Sequence, residues 1–159
     1  MVASRHNGTR MFTLTRKTEY ALIALAHLAA EADRLASARE IAEEYRVPLP
    51  VLTNVLKTLN RCGIVGSERG AKGGYRLAQD PHQISLAQLI CAVEGPARLV
   101  RCTGGHSSPP RRTCELVSTC PVRPAVLKVH QRMQRFLESV TLGEIVAEGP
   151  SQTTPQAAP

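Results

Sequence analysis

A chain of 159 residues with 43% hydrophobic side chains supports one compact domain and an accessory element, but no second large core. Two Phe, three Tyr and no Trp leave the core to Leu, Ile, Val and Ala, a composition that favours a mainly α fold over a sandwich or barrel. The net charge of +7 is shared between residues 1–80 (12 Lys/Arg, 8 Asp/Glu) and residues 81–159 (8 against 5), a balance that fits nucleic acid or an anionic membrane surface. No apolar run approaches the roughly 20 residues that span a bilayer, and MVASRHNGTRM lacks the apolar core of a signal peptide, so a cytoplasmic protein with no membrane partner is expected.

Residues 1–10 are polar, basic and without periodicity, and read as a flexible N-terminal arm. Thr15 can cap a first helix with apolar Tyr20, Leu22, Ile23, Leu25, Ala26 and Leu28, running to about Glu31. Ser37 and Glu40 form a capping-box pair that starts a second helix ending near Tyr45. After a turn at Val47-Pro48, Pro50 suits the first turn of a third helix whose apolar positions are Val51, Leu52, Val55, Leu56 and Leu59. Two short helices joined by a tight turn make a helix-turn-helix. Gly63 ends the third helix, and GIVGSERGAKGGYRLA alternates around a glycine turn, predicting a two-stranded hairpin with Ile64 and Val65 on one arm and Tyr75 and Leu77 on the other.

The hairpin carries Arg69, Lys72 and Arg76, as a wing lying on a phosphate backbone would. With the third helix in the major groove, Thr53, Asn54 and Lys57 are the candidates to meet base edges, Arg69 and Lys72 would hold phosphates, and Arg16 and Lys17 could touch the flanking backbone. The bland alternative is that these are ordinary solvated charges. Ser85 caps a further helix, LAQLICAVEG, that stops at Gly95-Pro96 and completes a winged-helix DNA-binding domain over residues 11–96.

Residues 97–120 form a Gly/Pro-rich basic loop with Cys102, Cys114 and Cys120, too long to order itself by its own packing. Five cysteines, an odd number, argue against a secreted disulfide scaffold. Soft thiolates favour zinc, copper(I) or an iron-sulfur centre, and Arg98, Arg101, Arg111 and Arg112 raise the local positive potential. The spacing C-x11-C-x5-C lacks the C-x2-C pair of a zinc knuckle and leaves a four-ligand site one ligand short. His106, His130, Glu115 or Glu19 could supply it. Cys62 and Cys91 fall in helical stretches and read as small packing residues.

After Pro121 a long helix sets Val122, Val126, Val129, Met133, Phe136 and Val140 at alternating spacings of 4 and 3, a narrow stripe suited to pairing with a second copy of itself. Thr141 and Glu144 cap a short last helix, so residues 121–146 read as a dimerisation unit and residues 147–159 as a disordered tail. An enzyme is disfavoured: there is no C-x-x-C motif and no phosphate-binding glycine loop.

Three stretches, LTRKTEYAL, RGAKGGYRLAQDPHQISLAQLICAVEGP and STCPVRPAVLKVHQRMQRFLESVTLGEIV, carry a resemblance to the IscR and NsrR family of winged-helix, iron-sulfur-dependent transcriptional regulators, extending from Phe12 to Val146. The resemblance implies a homodimer with crossing long helices, each cluster lying near the partner's DNA-binding domain. Cys102, Cys114 and Cys120 match the cluster cysteines. Regulators resembling IscR carry a histidine three residues beyond the last cysteine, where this chain has Arg123; those resembling NsrR carry an acidic ligand in the first helix, where it has Glu19. The implied cofactor is a 4Fe-4S cluster on three cysteines and Glu19, with 2Fe-2S as the other nuclearity. The implied function is a repressor of an imperfect palindromic operator whose affinity changes when nitric oxide, oxidants or iron limitation remove or modify the cluster. A zinc-bound or metal-free thiol-based DNA-binding repressor is the alternative, and a protein-binding dimeric scaffold a third reading.

Overall fold

Local capping chemistry starts most of the helices. In the computed structural model, which describes residues 14–70, 72–100 and 114–147, α1 (Arg16–Ala30) begins where the Thr15 hydroxyl accepts from the Thr18 amide. A complete capping box between Ser37 and Glu40 opens α2 (Ala38–Glu44). Pro50 lies in the first turn of α3 (Leu49–Arg61), and Ser85 caps α4 (Leu86–Glu94). α5 spans Arg123–Ser139, and a reciprocal Thr141–Glu144 pair opens α6 (Leu142–Ala147). These satisfy amides that a helix start otherwise leaves without partners, at about 1 kcal/mol per cap.

The helix-turn-helix bends at Arg46, which sits in the left-handed region at φ 52°, and Val47 N–H donates back to Ala42 O at 2.9 Å. α1 and α3 bring Ala21, Ala24, Leu25 and Leu28 into one core with Leu52, Val55, Leu56 and Leu59, all buried. Alanines on α1 let the two helices approach closely, and each fully buried Leu contributes about 1.5–3 kcal/mol. Tyr20, Leu22 and Ile23 pack only at the edge of that core. Between α1 and α2, Arg34 donates at 2.6 Å to both Glu31 and Glu40. Its guanidinium holds both carboxyls below their ordinary range, chiefly through those hydrogen bonds.

The wing consists of β1 (Val65–Glu68) and β2 (Gly74–Leu77), antiparallel with Val65 opposite Leu77 and Glu68 opposite Gly74. A third strand is reduced to one residue that the sequence did not announce: Ala36, just before α2, exchanges backbone hydrogen bonds of 3.0 and 2.8 Å with Tyr75. Gly74 follows from that bridge, since a β-carbon there would lie 2.7 Å from Ala36 O. A second isolated bridge joins Ser85 to Thr141, with Leu86 N–H on Val140 O and Leu142 N–H on Ile84 O, each 2.8 Å. It fastens the end of α5 to the start of α4.

α5 packs against α4 and buries His130. Val122, Val129 and Phe136, seven residues apart, stay 59%, 53% and 63% exposed. One expectation is corrected: Cys62 and Cys91 are exposed. Cys62 follows the last turn of α3 as its C-cap, beyond the stripe ending at Leu59, and on the largely apolar α4 the residue taken fully into the core is Leu89. No helix among the described residues is long and apolar enough to cross a membrane. The expected arm, the tail from residue 148, and Cys102 and His106 lie outside the described residues.

Candidate nucleic-acid interface and thiol site

The exposed face of α3 meets the wing across an open groove of about 740 Å³, lined among others by Asn54, Lys57, Arg61, Ser67, Arg69 and Tyr75. Asn60 Nδ2 donates to Val65 O at 3.0 Å and ties the end of α3 to the first wing strand. Two further contacts order the helix surface: Thr58 Oγ1 donates to Asn54 O at 3.0 Å, and Arg61 Nη2 donates to Thr58 Oγ1 at 3.3 Å. Lys57, Arg61 and Arg69 leave the groove basic, because its Glu68 carboxylate is engaged by Arg76 at 3.1 Å.

Of the residues predicted to meet DNA, the groove collects Asn54, Lys57 and Arg69. Thr53 is half-buried on α3 outside the groove lining; Lys72 is exposed between the wing strands. Arg16 and Lys17 are exposed at the start of α1, and Arg16 pairs with Glu19 at 3.2 Å. Sequence reading missed Thr58 and Arg61. Arg61 lies seven residues after Asn54 and four after Lys57, so helical spacing alone places it on their face.

Cys114 and Cys120 are free and half-buried on the approach to α5, while Glu115 is exposed. Arg123 opens α5 with its backbone N–H 3.4 Å from Cys120 O, and its side-chain Nε is buried without an acceptor among the described residues. The Nε sits on the first turn of α5, three residues after Cys120, where a buried N–H of a cationic group calls for an acceptor, and arginine, always protonated, cannot itself be a metal ligand. The free thiols of Cys114 and Cys120 are donors of the soft class that an iron-sulfur group takes. Glu19 N–H closes the first turn of α1 on Thr15 O at 2.9 Å, and the Glu19 side chain is about two-fifths exposed. That turn is held from α4: Thr15 and Thr18 both donate their hydroxyls to Glu94, eight residues before Cys102. Among the described residues, no three of His, Cys, Asp and Glu assemble as a metal site, so one chain does not bring Glu19 to Cys114 and Cys120. His130 is buried in the chain with Nδ1 lacking a partner among those residues.

A helix-turn-helix, a two-stranded wing and a basic groove between them define a winged-helix transcriptional regulator. The chain belongs to the Rrf2 family, described as iron-dependent transcriptional regulators, whose pattern matches residues 14–148. It is 37% identical over 133 residues to an HTH-type transcriptional regulator of Synechocystis, covering 83% of this chain and 86% of that one. Its identity to the regulator NsrR of Shouchella clausii is 28% over 134 residues, covering 84% and 87%. Among solved structures, CymR, the global cysteine regulator of B. subtilis, matches 86% of this chain and 97% of its own with a TM-score of 0.67 at 24% identity, a likeness of fold.

Proposed function

We propose that this regulator is a homodimeric repressor that carries an iron-sulfur cluster on Cys102, Cys114, Cys120 and the partner's Glu19, and that loses or strengthens its hold on an imperfect palindromic operator with the state of that cluster. The observation that carries the reading is the buried Nε of Arg123, three residues after the half-buried Cys120 and without an acceptor among the described residues. The exposed apolar positions Val122, Val129 and Phe136 support pairing of two α5 helices, which would place one chain's thiols within reach of the other's α1. When bound, the cluster supplies a link that is redox-sensitive and that nitric oxide can attack. Residues of the chain do the rest. Glu94 steadies the turn that presents Glu19, and Asn54, Lys57, Arg61 and Arg69 meet the duplex, joined by Thr53, Lys72, Arg16 and Lys17 at its periphery. A carboxylate is a harder ligand than a fourth thiolate and suits a site built to be altered. Nitric oxide, oxidants and iron limitation are the signals this chemistry admits. The protein acts in the cytoplasm, where thiols stay reduced.

Anaerobic purification followed by native mass measurement and iron and acid-labile sulfide analysis tests it. The wild type is expected brown and dimeric, with a 4Fe-4S mass in preference to 2Fe-2S, and Glu19→Ala and Cys114→Ala are expected to lose colour. A colourless wild type without sulfide indicates zinc or free thiols and overturns the cluster. Equal operator affinity with and without the cluster overturns the sensing role.

A further inference from the structure

Two cysteines remain outside the loop, and both stand in the wall of one open groove of about 470 Å³ between the end of α3 and the outer face of α4. We propose that Cys62 and Cys91 are a redox-active pair that closes into a disulfide within one chain when a hydroperoxide oxidises it, stapling the end of the recognition helix α3 to α4. Both are free and exposed, and so open to an oxidant in solution. Their carriers are held rigidly together: Leu59, three residues before Cys62, and Leu89, two before Cys91, are fully buried in the same core. Ser85, Ala87 and Ala92 give the groove short walls. Among the described residues its charged lining residue is Glu138 from α5.

The chemistry balances without a metal. One thiol attacks the hydroperoxide O–O bond, giving a sulfenic acid and releasing an alcohol, or water where the oxidant is hydrogen peroxide. The second thiol displaces water from that sulfenic acid, forming the S–S bond, so the two sulfurs together give up two electrons to the peroxide. Residues 63–90, enclosed by the new bond, contain both wing strands. Oxidation thus restrains the wing and the C-cap of α3 at once, and Asn54, Lys57 and Arg61 lie on that helix. Only this consequence for DNA rests on the regulator reading; the disulfide does not depend on the cluster.

The test uses the reduced full-length wild type, dosed with hydrogen peroxide, blocked at its remaining thiols and digested with trypsin without reduction. Cleavage after Arg61, Arg69, Arg76 and Arg98 isolates peptides 62–69 and 77–98, each with a single cysteine. The expected product is these two peptides joined in a chain that stays monomeric on a denaturing non-reducing gel, absent from Cys62→Ser and Cys91→Ser. Closure requires α-carbons within about 7 Å. Recovery of both cysteines in blocked form, or linked to another chain or to a loop cysteine, overturns the proposal. For the consequence, binding is measured to a duplex selected from a random pool by the reduced protein. Peroxide is expected to weaken wild-type binding about tenfold more than that of Cys91→Ser, the ordinary size of a coupling between sites, with recovery on reduction. Equal losses in the two proteins overturn the regulatory half. Failure of the reduced protein to select any duplex counts against the DNA-binding reading, while the peptide map still decides the pair.

Discussion

Replacing Gly74 with alanine isolates the contact that seats the wing. The added carbon would meet Ala36 O at 2.7 Å and Ala36 C at 2.9 Å, both backbone atoms that no rotamer change can move aside. Relief requires β2 to withdraw from Ala36, giving up the 3.0 and 2.8 Å bonds shared with Tyr75. Two backbone bonds at about 0.5–1.5 kcal/mol each, with about 1 kcal/mol or more of residual crowding, put the cost near 3 kcal/mol. Against a total of about 5–15 kcal/mol the protein still folds, with Tm lower by roughly 10 °C. Gly66 on the facing strand is the control: its added carbon meets Arg76 Cγ at an ordinary 3.9 Å. Gly66→Ala is therefore expected to be neutral or to stabilise by about 0.5 kcal/mol, as alanine loses less chain freedom than glycine. Urea unfolding and thermal scans of both variants check the pair, with operator affinity falling in Gly74→Ala alone. A Gly74→Ala protein within about 0.5 kcal/mol of wild type refutes the crowding argument.

Phe136→Ala is expected to weaken the proposed dimer at least tenfold by sedimentation, while Tm measured at concentrations where the wild type is monomeric stays unchanged, since the ring is 63% exposed within one chain. Lys57→Ala and Arg61→Ala should each lower the slope of log affinity against log salt by about 1 if they neutralise a phosphate; an unchanged slope removes that residue from the backbone contacts. On the acid side, Arg34 depresses the folded-state pKa of Glu40 chiefly through its hydrogen bond. The associated stability is thus present above the unfolded value of about 4.3 and lost as pH falls through the depressed folded value. Arg34→Met should flatten the loss of Tm below about pH 4.3, and an unaltered acid limb counts against the pairing.

What was legible in the sequence was local. Thr15, Ser37 with Glu40, Ser85, and Thr141 with Glu144 announce helix starts because a cap is decided within four residues, and all form as expected. The periodic stripe of α3 likewise indicated which leucines face inward. The Ala36–Tyr75 bridge was hidden, because nothing in the chemistry of one alanine marks it as a strand 39 residues before its partner. Glu94 was equally silent: its two threonine partners lie on another helix and meet it only after α1 and α4 pack. The exposure of Cys91 escaped because LAQLICAVE is apolar on nearly every side, so periodicity cannot say which face is covered. Among candidate site residues, Asn54, Lys57 and Arg69 were recoverable from helix and hairpin positions; Arg61 required extending the same face by one more turn.

The bridge between Ser85 and Thr141 pins the end of α5, and packing on α4 with His130 buried midway holds the helix between its ends. Its 17 residues extend about 25 Å from that anchor to the half-buried thiol of Cys120. A displacement of the cysteine end would therefore be passed to α4 both through that packing and through the strand-like segment that leads into it.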